Sequence, residues 1–76
     1  MSIIKRLLDS SRCGFLQDTE LDEVIKENPL QQLLVRCNGC RFVCSAQDAK
    51  HIIDIIERDP KRQDWIRDVS IYTGKD

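Results

Sequence analysis

The sequence predicts a small α+β domain in the order α-α-β-β-α-β, with helices covering one face of an antiparallel sheet. Three observations predict this class. Apolar residues recur at helical spacing in three stretches. One Asn-Gly dipeptide separates two runs rich in β-forming residues, and a Ser-x-x-Asp sequence marks the start of the last long helix. We expect residues 1–76 to form one compact domain, because a chain of this length supports a single small core.

Two short helices are predicted before the sheet. Isoleucines and leucines recur at helical spacing over residues 3–8, and the serine pair at 10–11 ends that helix. A second helix begins at a cap supplied by Asp18 or Thr19 and stops at the Asn-Pro pair at 28–29. The second helix is strongly acidic, which is typical of a solvated helix face.

The Asn38-Gly39 pair predicts a β-hairpin over about residues 30–44, closed by a type I′ turn. Side chains alternate between the two faces of a strand, so the turn also fixes which residues share a face. One face is wholly apolar if thiols count as small hydrophobic groups. The other face is mixed and carries Leu34, Arg36, Arg41 and Val43. The predicted cross-strand pairs are Cys37 with Cys40, Arg36 with Arg41, Val35 with Phe42, Leu34 with Val43, and Leu33 with Cys44.

A third helix is predicted from about residue 46 to 58, and its apolar stripe leaves out Ile55, which falls about 60° to one side. The Asp-Pro pair at 59–60 then predicts a short helical turn that reaches Trp65 or Ile66. Residues 69–72 alternate and predict a third strand that pairs with the hairpin edge. The pattern does not decide whether residues 60–72 are helix, strand or both.

The four cysteines support two interpretations. A Cys-x-x-Cys sequence is also a metal-binding knuckle, so the alternative to the hairpin core is a small zinc-stabilised binding domain. In a regular strand Cys44 lies about 13 Å from Cys40, too far for both to bind one ion. His51 faces away from the sheet. We therefore expect packed thiols and no cofactor, and we keep zinc as the alternative. Its candidate ligands are Cys13, Cys37, Cys40 and Cys44.

Charge and motifs exclude several function classes. Twelve basic and thirteen acidic residues give a formal net charge of −1, which provides no overall attraction to nucleic acid or to an anionic membrane. No apolar run approaches the length of a membrane-spanning helix, and the first residues lack a signal-peptide core, so we expect a cytoplasmic protein. With one histidine and no phosphate-binding or hydrolase motif, we expect no enzymatic activity.

The function class that remains is a small protein-interaction module: a regulator, inhibitor or adaptor that acts by occupying a surface. Small regulators of this size are often encoded by phages or mobile elements, which is an analogy only. Exposed apolar groups rimmed by charge are typical of partner or dimer surfaces, so both a protein partner and a homodimer are considered. A weak nucleic-acid interface through Arg36 and Arg41, with Trp65 stacking on a base, is the further alternative. The predicted partner-binding residues are Leu34, Arg36, Arg41, Val43 and Ile55.

Overall fold

The computed structural model describes residues 2–11, 14–17 and 19–74. Within these ranges the chain forms three helices and a three-stranded antiparallel sheet, which confirms the predicted α+β class and the order of its elements. The elements are α1 (Ile3–Asp9), α2 (Glu20–Glu27), β1 (Gln32–Cys37), β2 (Cys40–Ser45), α3 (Ala46–Arg58) and β3 (Ile66–Ile71).

β1 is the central strand, with β2 on one side and β3 on the other. The hairpin register is as predicted, from Cys37 opposite Cys40 to Leu33 opposite Cys44. Gly39 has φ +89°, the left-handed backbone that a two-residue hairpin turn requires and that glycine adopts without a steric penalty. The predicted third strand is present and pairs with β1 along its whole length.

The helical turn predicted after Asp59 does not form. Residues 60–65 make successive turns instead: Asp59 Oδ1 accepts from the Lys61 amide at 2.9 Å, and Trp65 donates to the Arg62 carbonyl at 3.0 Å. The Asn38 amide donates to the Trp65 carbonyl at 2.9 Å, so pairing with β1 takes over where the helix was expected. β3 consequently begins at Ile66, three residues earlier than the alternation indicated.

The core lies between the helices and one face of the sheet. Its largest fully buried side chains come from α1, α2 and β1, namely Leu7, Val24, Leu33 and Val35. α3 spans the predicted residues 46–58 and begins at a cap in which Ser45 Oγ accepts from the Asp48 amide at 3.4 Å. Its apolar stripe faces the sheet, because Ala49 and Ile56 are buried.

One carboxylate ties the start of α1 to the end of α2. Glu27 accepts from the Ser2 hydroxyl at 2.8 Å and from the Ile3 amide at 2.9 Å. The hydrogen bond from Ser2 is the main reason why the pKa of Glu27 lies below its ordinary value, and the amides of Ile3 and Ile4 lower it further. This contact holds the N-terminal helix against the rest of the helical layer.

Candidate functional site

The sheet has one face packed on the helices and one face that no helix in the described residues covers. Burial alternates along β1: Leu33, Val35 and Cys37 are buried, whereas Leu34 is half-buried and Arg36 is exposed. The helices pack on the Leu33 side, since the core cluster contains this side of β1 together with residues of α1, α2 and α3. We call the opposite side the open face.

An apolar row crosses the middle of the open face. Val43 is paired with Leu34, Leu34 with Ser70, and Ser70 forms a bridge with Phe15. Val43 is 41% exposed and Phe15 is 38% exposed, so both ends of the row meet solvent. With strands about 4.8 Å apart, the row is roughly 14 Å long. Ser70, the third member, is a small polar residue that is only 8% exposed. We call Val43, Leu34, Ser70 and Phe15 the apolar row after its three apolar members.

A charged row runs beside the apolar row. Arg41 is paired with Arg36, and Arg36 with Asp68. Arg36 Nη1 lies 3.7 Å from Asp68 Oδ2 in a solvent-exposed ion pair. Asp68 Oδ1 is buried and has no hydrogen-bond partner among the described residues. This border of the apolar row therefore carries two guanidinium groups and the carboxylate of Asp68.

The other border of the apolar row is polar and uncharged. Ser45 is paired with Gln32 on neighbouring strands, and the Tyr72 amide donates to the Gln32 carbonyl at 3.0 Å. The open face therefore has an apolar centre between a charged border and a neutral polar border. This arrangement resembles the apolar core and polar rim of a protein interface on a small scale.

Four of the five predicted partner-binding residues come together on the open face, and the fifth does not. Leu34, Arg36, Arg41 and Val43 share that face through the hairpin register. Ile55 is 55% exposed but lies on α3, in the helical layer on the opposite side of the sheet. Ile55 is therefore separated from the others by the thickness of the domain.

Sequence reasoning missed two residues of the open face, Phe15 and Asp68. β3 accounts for both positions. Asp68 belongs to β3 and is paired with Arg36, and Phe15 forms a bridge with Ser70 of β3. A β-bulge lies on this strand, because Arg36 pairs with Asp68 while the next residue, Cys37, pairs with Ile66. Alternation within residues 69–72 gave a strand but not its register, so no local signal could have placed these side chains.

The two outer edges of the sheet differ. β3 is paired on its outer side as well, because the Leu16 amide donates to the Val69 carbonyl at 2.9 Å and the Ile71 amide donates to the Gly14 carbonyl at 3.0 Å. β2 has β1 as its only strand neighbour in the described ranges. The apolar row thus begins at Val43, on the edge strand of the sheet.

The cysteines lie on the helix-facing side of the hairpin. Cys37, Cys40 and Cys44 are free thiols, and Cys13 lies outside the described residues. Burial is the main cause that raises the pKa of Cys37, and a hydrogen bond with Cys40 raises it further; burial also raises the pKa of Cys44. Among the residues that the structure describes, no three histidine, cysteine or acidic side chains are grouped as metal ligands.

An acidic groove of about 590 Å³ lies between α2, α3 and β3, and Asp68 of the charged row also lines it. Lys50 of α3 forms an ion pair with Asp22 of α2 within it. The hydrogen bond to Asp22 is the main reason that the pKa of Lys50 is raised, and the charges of Asp54 and Glu57 add to it. The chain's own lysine thus already neutralises part of this acidic cluster, which makes the groove a weaker candidate than the open face.

The chain matches no protein-family model, no curated protein and no solved structure. Within the described residues, no helix is long and apolar enough to cross a membrane.

Proposed function

We propose that this chain is a small protein-interaction module that binds its partner on the open face. The observation that carries the proposal is the apolar row, exposed at both ends and bordered by charge on one side only. Scattered exposed apolar residues are normal, but neighbouring ones such as Val43 and Leu34, with a polar border, are typical of a docking surface.

The borders of the row indicate what the partner offers. Arg36 and Arg41 are directly opposite each other, and like charges at paired positions are destabilising unless an anion lies nearby. Asp68 supplies one carboxylate to Arg36 from within the chain. A partner that places an apolar strip over Val43 and Leu34, and polar groups over the charged border, would match the open face in shape and polarity.

Nucleic-acid binding is less well supported than protein binding. The pairing of Arg36 with Asp68 reduces the positive charge available to a phosphate. Trp65, the candidate for base stacking, is half-buried against the core, with the Arg62 guanidinium carbon 5.8 Å from its ring centroid. An aromatic side chain that already packs against the core has less of its ring free to stack on a base.

The proposal is tested by photo-crosslinking from defined positions. A photoreactive residue is placed at position 43 in the apolar row and, in a matched control, at position 55 on the helical layer; both native residues are exposed and apolar. Each protein is irradiated in extract of the cells that make it and again as the purified chain alone. We expect a discrete adduct from position 43 in extract, and its loss when Leu34→Asp is combined with the probe.

An adduct with twice the mass of the chain in the purified sample would identify a second copy of the chain as the partner. Adducts from position 55 with none from position 43 would contradict the proposal and transfer the docking surface to α3. Adducts from position 43 that survive Leu34→Asp would also contradict it, since they would not depend on the apolar row. The melting temperature of each variant confirms that the domain is folded.

A further inference from the structure

The hairpin turn places two free thiols directly opposite each other. Cys37 and Cys40 flank Asn38-Gly39 and are partners in the register of β1 and β2. Paired residues of neighbouring strands point to the same face, so the two side chains extend in the same direction. Cys37 is 4% exposed, whereas Cys40 is exposed to solvent.

The spacing of the pair suits a covalent bond. The residues that flank a two-residue turn form a hydrogen-bonded pair, with Cα atoms about 5.5 Å apart. Disulfides connect residues whose Cα atoms are about 4.4–6.8 Å apart. The register places Cys37 directly opposite Cys40. Cys44, by contrast, lies four residues beyond Cys40 on the same strand, or about 13 Å along it.

We infer that Cys37 and Cys40 are a redox-active pair that forms a reversible disulfide by exchange with a low-molecular-weight disulfide such as oxidised glutathione. Cys40 loses its proton and its sulfur attacks one glutathione sulfur; the glutathione disulfide breaks, and one glutathione thiolate leaves. Cys37 then loses its proton and attacks Cys40 Sγ, which expels the second glutathione. Two protein thiols are oxidised, one glutathione disulfide is reduced to two thiols, and the two protons end on the two glutathione molecules.

The burial of the two thiols sets the order of these steps. Cys40 is exposed, so its thiol is the one that meets glutathione. Cys37 is buried in the core cluster and lies opposite Cys40 across the turn, so its thiol attacks Cys40 in the second step. The resulting bond joins β1 to β2 at the end of the hairpin next to Arg36 and Arg41. This property goes beyond the proposed function because it needs no protein partner.

The sequence provides a direct assay. Trypsin cuts after Arg36 and Arg41, and the released peptide, residues 37–41, contains both thiols of the pair and neither Cys13 nor Cys44. The reduced, desalted chain is incubated with oxidised and reduced glutathione, quenched in acid, treated with N-ethylmaleimide, digested and analysed by mass spectrometry. We expect peptide 37–41 to be two hydrogens lighter and unlabelled after oxidation. After treatment with dithiothreitol it should take up two labels.

Two variants test the specificity and the order of the steps. Cys44→Ser is the matched control, because it removes another thiol of β2, and it should leave the 37–41 disulfide unchanged. Cys37→Ser should stop the reaction with glutathione attached to Cys40. The wild-type chain alone decides the inference, so a variant that fails to fold leaves the test intact.

Three outcomes would overturn the inference. The first is a peptide 37–41 that takes up both labels after oxidation. The second is a disulfide from this peptide to another cysteine. The third is protection of both thiols that ends when a metal chelator is added, which would make them metal ligands and not a redox pair.

Discussion

At the scale of single residues, two consecutive leucines of β1 differ in burial because side chains alternate between the two faces of a strand. Leu33 is fully buried, and Leu34, one position later, is half-buried on the open face. The sequence predicted this partition because Asn38-Gly39 fixes the register of both strands. It did not reveal the cross-sheet neighbours of Arg36, because Asp68 lies 32 positions away in the chain.

Truncating the two faces of the hairpin should have unequal effects. Leu33→Ala leaves a cavity in the core and should lower the free energy of unfolding by about 2–5 kcal/mol. Val43→Ala removes methyl groups at a position that is 41% exposed and should lower it by less than about 1 kcal/mol. Urea denaturation of both variants measures the difference, and equal losses would mean that the open face is buried in the folded chain.

The turn glycine offers a test of backbone conformation alone. Gly39 has φ +89°, and a Cβ added there would meet no atom within 4 Å, so Gly39→Ala acts only through backbone strain. We expect a loss of roughly 1–2 kcal/mol in the free energy of unfolding. Gly74→Ala is the matched control: it has φ +82° and equally open surroundings but follows the last strand, so it should change stability little. Equal effects of the two variants would contradict the turn as the source of the loss.

At the scale of elements, a helix or strand could be predicted where its start, its periodicity and its stop are all local. α3 meets that condition, with Ser45 as cap, an apolar stripe, and Asp59-Pro60 after its end. Residues 60–65 do not meet it, because the helix-start signal of Asp59-Pro60 competes with a hydrogen bond between the Trp65 carbonyl and the distant Asn38 amide of the hairpin turn. A helix predicted from local sequence does not form where a long-range hydrogen bond uses the same backbone group.

The attachment of α1 should depend on pH through Glu27. Its pKa is lowered in the folded chain, chiefly by the Ser2 hydroxyl, so its contribution to stability is present above the ordinary value of about 4.5 and is lost as the pH falls through the folded value. We expect Glu27→Gln to be less stable than the wild type at neutral pH and equally stable in acid. Denaturation curves across this pH range provide the measurement, and a difference that persists in acid would exclude the carboxylate charge as the cause.

At the scale of the whole molecule, the fold places its core on one side of the sheet only. The described helices all contribute to the core cluster with the Leu33 side of β1, which leaves the other side as an open face. Four predicted residues of that face follow from the hairpin alone. Phe15 and Asp68 complete it through β3, and Ile55 is excluded because α3 covers the other side. These placements needed the tertiary structure.

Metal analysis tests the remaining alternative for the cysteines. Cys44 lies too far along β2 from Cys40 for both to bind one ion in the observed strand. We expect the reduced protein to contain no stoichiometric zinc and to melt at the same temperature before and after chelation. One zinc per chain with loss of the fold on chelation would establish a zinc-stabilised domain.

We propose that a protein partner binds the open face. The affinity of the crosslinked partner is measured for two matched variants of the chain. Val43→Asp introduces a charge into the apolar row, and Ile55→Asp introduces the same charge on the helical layer, at another exposed apolar position. We predict that Val43→Asp raises Kd by about 30-fold or more, the effect expected for an interface residue that contributes strongly to binding. Ile55→Asp should change Kd by less than about threefold, as expected outside the interface. The reverse result, with binding lost in Ile55→Asp and kept in Val43→Asp, would contradict the account.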